Sequence, residues 1–511
     1  MLFGTPKRPV RTCTSLRFIS SSLSCCKHKG PLPVEPPTSQ LHPPRLNYKS
    51  IVENAAYHKR NIKNRRIPQS NDVVKNLVAH YTRHTALMRE IEEARKQKNL
   101  IGERFKKEMT PYEKSAALKE AAEIKAFLAI QQPLAMGTQT SLLELGLRIP
   151  NITHPDSPIG SELHATTLST HGSERLEPNS ARDHWKIAQE LDLVNFDDAA
   201  VVTGSSWYYL QGAAALLEHA LVNYALSIAV RHGYTPMTTP DVVRSDIATR
   251  CGFSPRDQSD EEGNVIHHFY HIAGSSTELV LAGTAEIPLA GMFTRKTFLE
   301  RQLPRRVVSV GHAFRSEAGS RGAETRGLYR VHQFTKVELF AVTEQEQSDA
   351  MMEEIRNIQI EIFEGLGFPF RVLDMPTEEL GHAAYRKYDM EAWMPGRGTW
   401  GEISSTSNCL DFQARRLHIN YRPNRGPDDA TEASHSSLPF AHTLNGTAAA
   451  IPRLIIALLE NGVQLNEADQ AVGLTLPKVL RPFWLGGDSL GPSAKITWVD
   501  IPPTSNQQVQ E

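Results

Sequence analysis

Cysteine is scarce in this chain: five in 511 residues, at positions 13, 25, 26, 251 and 409, with no Cys-x-x-Cys pair and no repeated spacing. A disulfide-stapled scaffold is excluded, and no ligand set for a structural zinc is present, so no zinc is expected. No run of about 18 apolar residues occurs, so no membrane span or membrane partner is expected. An excess of either charge is missing too, since 56 Lys and Arg face 57 Asp and Glu. That argues against a uniformly basic coat but leaves room for a local one. What is there is an ordinary globular balance, 40% hydrophobic and 22% charged, with length for about three domains at roughly 150 residues each.

The first 30 residues carry Lys7, Arg8, Arg11, Arg17, Lys27 and Lys29, and no acid precedes Glu35. Ser and Thr are dense between Thr12 and Ser24, and Arg17 interrupts the only candidate for a secretory apolar core. An Arg-rich, Ser-rich, acid-poor start is the composition of an organellar transit peptide. A disordered tail with no address is the alternative. Residues 31–44 then hold six prolines, too many for a helix.

From about Asp72 to Lys107 helix formers dominate, and Leu77, Tyr81, His84, Met88 and Ile91 recur at 4-3-4-3 spacing, a coiled-coil seam. Thr110, Pro111 and Glu113 predict a second helix start, followed by Ala117, Ala121, Ile124 and Leu128 at 4-3-4. Two such helices joined by a short turn predict an antiparallel hairpin. Pro133 and Gly137 are expected to kink or end its second limb. Between Tyr48 and Glu108, 15 Lys and Arg stand against 7 Asp and Glu. A near-neutral chain that gathers positive charge on one arm suggests phosphate-backbone contact; a solvated helix face is the bland alternative.

After Pro150 comes a polar connector, and from Ala181 the pattern becomes mixed helix and strand. Gln211 to Arg231 reads as an amphipathic helix, followed by an extended segment ending at Pro240. Around Gly319, Gly322 and Gly327, two strand-like runs predict a long antiparallel hairpin. Period-2 alternation places Arg315 with Glu317 on one face of its first strand, and Phe334, Lys336 and Glu338 on one face of its second. An Arg, an aromatic and a carboxylate on one sheet face suit an anionic, planar ligand that also bears a cation, although a surface ladder has the same look. In the run from Trp400 to Arg416, Glu402 sits among hydroxyls. His442 to Glu460 reads as a strand entering an apolar helix, with Pro452 in its first turn and Arg453 at its N terminus.

These islands resemble the signature motifs of class II aminoacyl-tRNA synthetases, and in detail those of the seryl-tRNA synthetase family. Phe314 to Ser320 and Thr325 to Phe334 are similar to the second class II motif, Asn445-Gly-Thr447 through Arg453 and Glu460 to the third, and the helix from Gln211 with the strand ending at Pro240 to the first, usually a dimer-interface element. Thr284-Ala285-Glu286 and the run from Glu402 to Asp411 are more particular to the seryl type. Arg321-Gly-Ala323-Glu324 departs from the family's motif 2 loop, because Ala323 lacks a basic side chain.

The resemblance implies an α+β protein: an antiparallel-sheet class II catalytic domain with an N-terminal antiparallel coiled-coil arm. The expected divisions are 1–45 leader and Pro-rich linker, 46–149 tRNA-binding arm, 150–180 connector, 181–490 catalytic domain and 491–511 tail. It further implies activation of L-serine by ATP and transfer to tRNA(Ser) by a homodimer in the mitochondrial matrix, with Mg²⁺. Arg315, Glu402 and Arg453 would be catalytic. Thr284, Ala285, Glu286, Arg315, Glu338 and Thr447 would hold serine. Arg315, Ser316, Glu317, Val331, Phe334, Glu402, Ile403, Ser404, Ser405 and Arg453 would hold ATP, with Glu402 and Ser405 on the metal. Glu402 and Ser405 are three apart, so a bulge must bring them to one face. No role is assigned to 424–437, a polar insertion, or to the stretch beyond Leu490.

Overall fold

The computed structural model describes residues 41–67, 72–253, 258–259, 265–266, 269–317, 327–424, 438–490 and 494–502. Expectations for the leader up to residue 40, the motif 2 loop at 318–326 and the insertion at 425–437 fall outside the described residues.

Two short helices, α1 (Tyr48–Glu53) and α2 (Ala55–Asn64), precede a helical hairpin formed by α3 (Val73–Arg104) and α4 (Pro111–Leu147). Thr110 begins the return limb through a reciprocal cap. Its Oγ1 accepts from the Glu113 backbone N–H, while the Glu113 carboxylate accepts from the Thr110 N–H at 2.8 Å, with Pro111 in the first turn. The expected seam forms in two clusters: Leu77 and Tyr81 pack with Leu142 near the root, and Met88 and Ile91 with Ile124 and Leu128 further out. The second limb does not end at Pro133 or Gly137, because α4 continues through both. A proline in a helix interior costs about 3 kcal/mol. Burying Leu77, Ile91, Leu128 and Leu142 on its two flanks returns roughly 1.5–3 kcal/mol each. Packing outweighs the local loss.

Eight strands form one sheet: β1 (Thr166–His171), β2 (Thr235–Thr238), β3 (Arg305–Phe314), β4 (Gln333–Thr343), β5 (Phe370–Asp374), β6 (Arg386–Met394), β7 (Thr399–Asn408) and β8 (His442–Ala450). Their spatial order is β1-β5-β6-β7-β8-β4-β3-β2, antiparallel throughout except that β2 lies parallel to β3. Alternation along β4 divides its labour. Val337, Leu339 and Ala341 enter the main core, while Lys336, Glu338, Phe340 and Val342 point to the other face. Three helices, α5 (Ala213–Arg231), α7 (Ser348–Leu366) and α9 (Ile451–Gly462), cover the first face. Two short ones, α6 (Glu286–Met292) and α8 (Phe412–Leu417), cover part of the second, next to Phe340 and Val342.

By length and composition α5 is apolar enough to cross a bilayer, although Glu218, His219 and Asn223 interrupt the run. Its Leu217, Leu221, Ala225 and Ile228 are buried in the main core, and Tyr224 Oη donates to Ile362 O of α7 at 3.2 Å. It serves as a core helix.

Two expectations need correction. The segment expected to be a plain connector supplies β1, which pairs with β5 at the sheet edge. The stretch beyond Leu490 is used as well. A small sheet of β9 (Val463–Leu465), β10 (Ala471–Pro477) and β11 (Lys495–Val499) closes around it, and Ala494 and Ile496 join the main core. Single apolar residues inside polar runs carried too weak a period to mark either strand.

Candidate active site

The site lies on the sheet face that α6 and α8 leave open, and its residues come from β4, β6, β7, the segment after β3 and the start of α9. The β3–β4 hairpin forms as expected, but β3 ends at Phe314. Arg315, Ser316 and Glu317 leave the sheet, and Glu317 takes a left-handed φ of 46°. Strand alternation therefore does not apply, and the shared face expected for Arg315 and Glu317 is replaced by an irregular turn. Val331 is buried just before β4 and also lies outside the alternation.

Backbone pairing sets Arg315 in place. Its N–H donates to His332 O at 2.9 Å, and His332 Nδ1 lies 3.0 Å from Arg315 O. Its guanidinium sits 5.3 Å from the centre of the Phe334 ring. Glu317 is paired with Arg330 at 3.3 Å.

At one end of the site four side chains converge. Cross-strand register puts Glu338 opposite Ser309 on β3 and opposite Thr447 on β8. Thr284 Oγ1 donates to Glu338 Oε2 at 3.3 Å and accepts from the Glu286 N–H at the same distance, with Ala285 capping α6. Lys336 Nζ lies 2.5 Å from Glu338 Oε2. Burial pushes the Glu338 carboxyl up, and the Lys336 charge and hydrogen bond oppose it. Burial pushes Glu286 up to about 8, with the Glu338 charge adding to the shift; a hydrogen bond from Gln413 and the Lys336 charge work against it. Asn445, buried two residues before Thr447, also belongs to this end.

At the other end the β6–β7 register slips once: Met390 pairs with Ser404 but Glu391 with Glu402, leaving Ile403 as the extra residue. This is the bulge that the spacing of Glu402 and Ser405 requires, and it returns both to one face, opposite Glu391 and Asp389. Ile403 is buried in the core, and Ser404 is buried with its Oγ donating to Thr447 O at 2.5 Å. Arg453, in the first turn of α9, reaches Glu402 Oε2 at 2.9 Å and packs 4.7 Å from the Tyr329 ring centre. Burial alone would raise the Glu402 pKa. The charges of Arg453, Lys387 and Arg315, with the Arg453 hydrogen bond, hold it instead at about 2.

Three contributors had no local motif. Lys387 and Asp389 pair at 2.6 Å on β6 and face Glu402 and Ser405. Gln359, wholly buried on α7, donates to Ser404 Oγ, Ser405 O and Thr447 O at 2.9–3.1 Å, tying β7 to β8 under the site. Its signal was a polar residue inside the apolar stripe of Ile355, Ile358 and Ile362. Among the described residues no group of three or more His, Cys, Asp or Glu could cage a metal. A carboxylate kept ionised at neutral pH beside a hydroxyl instead fits Mg²⁺ that takes its remaining ligands from phosphate and water.

Two guanidiniums set between an acidic pocket and an aromatic ring can neutralise two anions brought close together, while the acids receive a cation. On an antiparallel sheet with this hairpin and this β8–α9 junction, that defines the catalytic domain of a class II aminoacyl-tRNA synthetase. Residues 270–462 match the family described as tRNA synthetase class II core domain (G, H, P, S and T), and residues 46–153 match the seryl-tRNA synthetase N-terminal domain. The chain belongs to the seryl-tRNA synthetase family. It is 40% identical over 452 residues to the serine–tRNA ligase of Treponema denticola, covering 87% of this chain and 100% of that relative. It is 41% identical over 439 residues to the mitochondrial serine–tRNA ligase of Schizosaccharomyces pombe, covering 86% and 88%. The crystal structure of seryl-tRNA synthetase from Pyrococcus horikoshii complexed with ATP superimposes with a TM-score of 0.75 at 31% identity, covering 86% of this chain and 98% of that one.

Proposed function

We propose that this serine–tRNA ligase works as a homodimer in the mitochondrial matrix, joining L-serine to ATP and passing the seryl group to tRNA(Ser). The observation that carries the reading is the two-ended site. Thr284, Glu286, Glu338 and Thr447 meet at one end, and Arg315, Phe334, Glu402 and Arg453 at the other. The matrix address rests on the basic, acid-poor leader and on mitochondrial relatives.

The first step is in-line attack of the serine carboxylate on the α-phosphorus, with pyrophosphate leaving. The nucleophile is already ionised at pH 7, so no general base is needed; positioning and charge neutralisation carry the catalysis. Arg315 bridges the serine carboxylate and the α-phosphate, a task suited to a planar fork. Phe334 stacks on the adenine between Val331 and the Arg315–Glu317 segment, and Arg453 meets the γ-phosphate. Glu286 receives the serine ammonium, and Ala285 shapes the turn that presents it. Glu402 and Ser405 would hold Mg²⁺, which when bound neutralises charge on the phosphates.

Serine-dependent ATP–pyrophosphate exchange, measured across the amino acids, tests the reading. Exchange with another amino acid and none with serine would overturn it. A reporter fused to residues 1–45 that stayed cytosolic would remove the matrix assignment.

The basic hairpin is the surface for tRNA. Excising residues 85–137 with a short turn in their place leaves the root cluster of Val73, Val74, Leu77, Leu142 and Ile149 whole. Charging of tRNA should weaken and lose much of its salt dependence, because fewer phosphate contacts release fewer counterions. Pyrophosphate exchange should survive, and its equal loss would show that the arm supports folding instead.

Glu286 makes serine binding pH-dependent. Held near 8 in the free site, it is protonated at pH 7, and an arriving ammonium favours the carboxylate. Serine should therefore bind more tightly as pH rises towards 8 and release a proton when it binds at pH 7. Calorimetry in two buffers of different ionisation heat measures that proton, and none released would contradict the assignment. The same shift stabilises the free fold fully below the ordinary carboxylate value of 4.5 and fades as pH rises through about 8.

A further inference from the structure

Arg65 closes the root of the arm, just past α2, and it is buried with 4% of its surface exposed. Burial lowers its pKa to about 10, yet a guanidinium keeps its charge at any physiological pH. Among the described residues no carboxylate pairs with it. Its partners are backbone carbonyls, the Thr153 hydroxyl and, 3.4 Å from Nε, the Asn61 side-chain oxygen. Nη1 donates to Gly381 O at 2.9 Å, and Nη2 to Ala384 O and Ile152 O at 2.9 Å each. Thr153 Oγ1 receives both Nε at 3.0 Å and Nη2 at 2.7 Å, and itself donates to Asn61 Oδ1 at 2.6 Å.

Asn151 completes the pattern from the same root. Its backbone N–H donates to His382 O, and its Nδ2 to Ala383 O, both at 2.8 Å. Asn61 of α2 in turn donates to Asn151 O at 2.8 Å. Four consecutive carbonyls, Gly381 to Ala384, are thus all received by two residues at the base of the arm.

That loop is not a distant surface turn. Residues 379–384 wall a cavity of about 410 Å³ whose other side includes Glu286 and Asn445 from the amino-acid end of the site. Lys387, three residues after Ala384, carries the charge that faces Glu402. A loop whose carbonyls are all engaged on one side has little freedom to move on the other. A buried guanidinium with no carboxylate among its described partners holds the Gly381 and Ala384 carbonyls more strongly than a neutral donor would.

We infer that Arg65 is a positioning residue for the serine end of the site: through the Gly381–Ala384 carbonyls, the root of the tRNA arm sets the wall against which serine is bound. The inference rests on the serine–tRNA ligase reading. It assigns to α2 and its flank a role that the distal hairpin does not share.

Arg65→Lys in the full chain tests it, because a single ammonium cannot span both Gly381 O and Ala384 O. The KM for serine in pyrophosphate exchange should rise roughly 10- to 100-fold, as expected when a site wall shifts by about 1 Å, while the KM for ATP stays within about threefold. Thr153→Val is the milder companion. It keeps the guanidinium but removes the hydroxyl that orients it, and should raise the serine KM several-fold; if the lysine variant does not fold, this one decides. Unchanged serine KM with a lower melting temperature would mean that Arg65 is only a structural staple. An equal rise in the KM for serine and for ATP would mean general damage. Either result overturns the inference. The unmodified chain separates the two levels: its exchange with serine tests the reading, whereas the ratio of variant to unmodified KM tests Arg65.

Discussion

Glu338→Gln should bring the ratio of serine to alanine in pyrophosphate exchange down towards unity. Serine, alanine and glycine share the carboxylate and ammonium that Arg315 and Glu286 would bind, so only the hydroxyl separates them. An ionised carboxylate accepts hydrogen bonds and donates none, and a serine hydroxyl can supply the missing proton. Alanine would leave a buried charge short of a partner, a penalty of about 3–5 kcal/mol, equivalent to roughly 10² to 10⁴ in selectivity. Glu338 is 1% exposed, so solvent cannot replace that partner. The Lys336 pair offers a competing account, in which Glu338 serves the stability of β4 alone. Yet both Lys336 and Thr284 contact Oε2, so Oε1 keeps its acceptor capacity for a ligand hydroxyl. Glutamine is nearly isosteric but presents a donor, and serine activation should fall far more than ATP binding. A variant that melts earlier while keeping the original serine/alanine ratio would establish the stability account. Threonine carries the same donor and tests a different feature, the room beside Thr447 for one more methyl group.

The parts of this site that the sequence made legible are those governed by short periods. Alternation along β4 placed Lys336 and Glu338 on the ligand face because that strand runs unbroken from Gln333 to Thr343. The three-residue spacing of Glu402 and Ser405 demanded a bulge, and one sits between them. Pro452 marked the start of α9 and so the position of Arg453. Alternation misled where the strand had already ended, after Phe314, since nothing in Phe-Arg-Ser-Glu distinguishes a fifth strand turn from the first residue of a loop. Local rules misled again at Pro133, where the cost to α4 is real but the opposing term, burial against α3, lies some 40 or more residues away in the chain. Lys387, Asp389, Gln359 and Gln413 were invisible for a related reason. Gln359 and Gln413 act between elements, on partners 45 to 127 residues away, and the Lys387–Asp389 pair matters because it faces Glu402 and Ser405 on the neighbouring strand. The arm root shows the same limit: Arg65 looks like one more basic residue in a charged run, and only its carbonyl partners more than 300 residues later set it apart.

The second large effect is expected from Glu402→Gln. Glu402 lies among Arg453, Lys387 and Arg315, whose charges overcome its burial and keep it ionised. The amide would preserve shape and still accept from Arg453, so the substitution removes charge with little change in packing. If Glu402 supplies an oxygen to Mg²⁺, exchange should drop roughly 10²- to 10³-fold, and the Mg²⁺ concentration giving half-maximal rate should rise, because a neutral amide oxygen is a poorer ligand for a hard cation. If Glu402 is only the counter-charge of Arg453, activity would fall without any move in the Mg²⁺ midpoint. The pH dependence of stability separates these from a folding defect. A carboxylate held at about 2 rather than its ordinary 4.5 contributes stability that is present above 4.5 and lost as pH falls through about 2. Glu402→Gln should therefore start from lower stability at neutral pH and lose less across that acid window than the unmodified chain. A shifted Mg²⁺ midpoint together with a flattened acid limb would assign both roles to one carboxylate: it holds Arg453 in the free enzyme and turns to the metal when the nucleotide arrives.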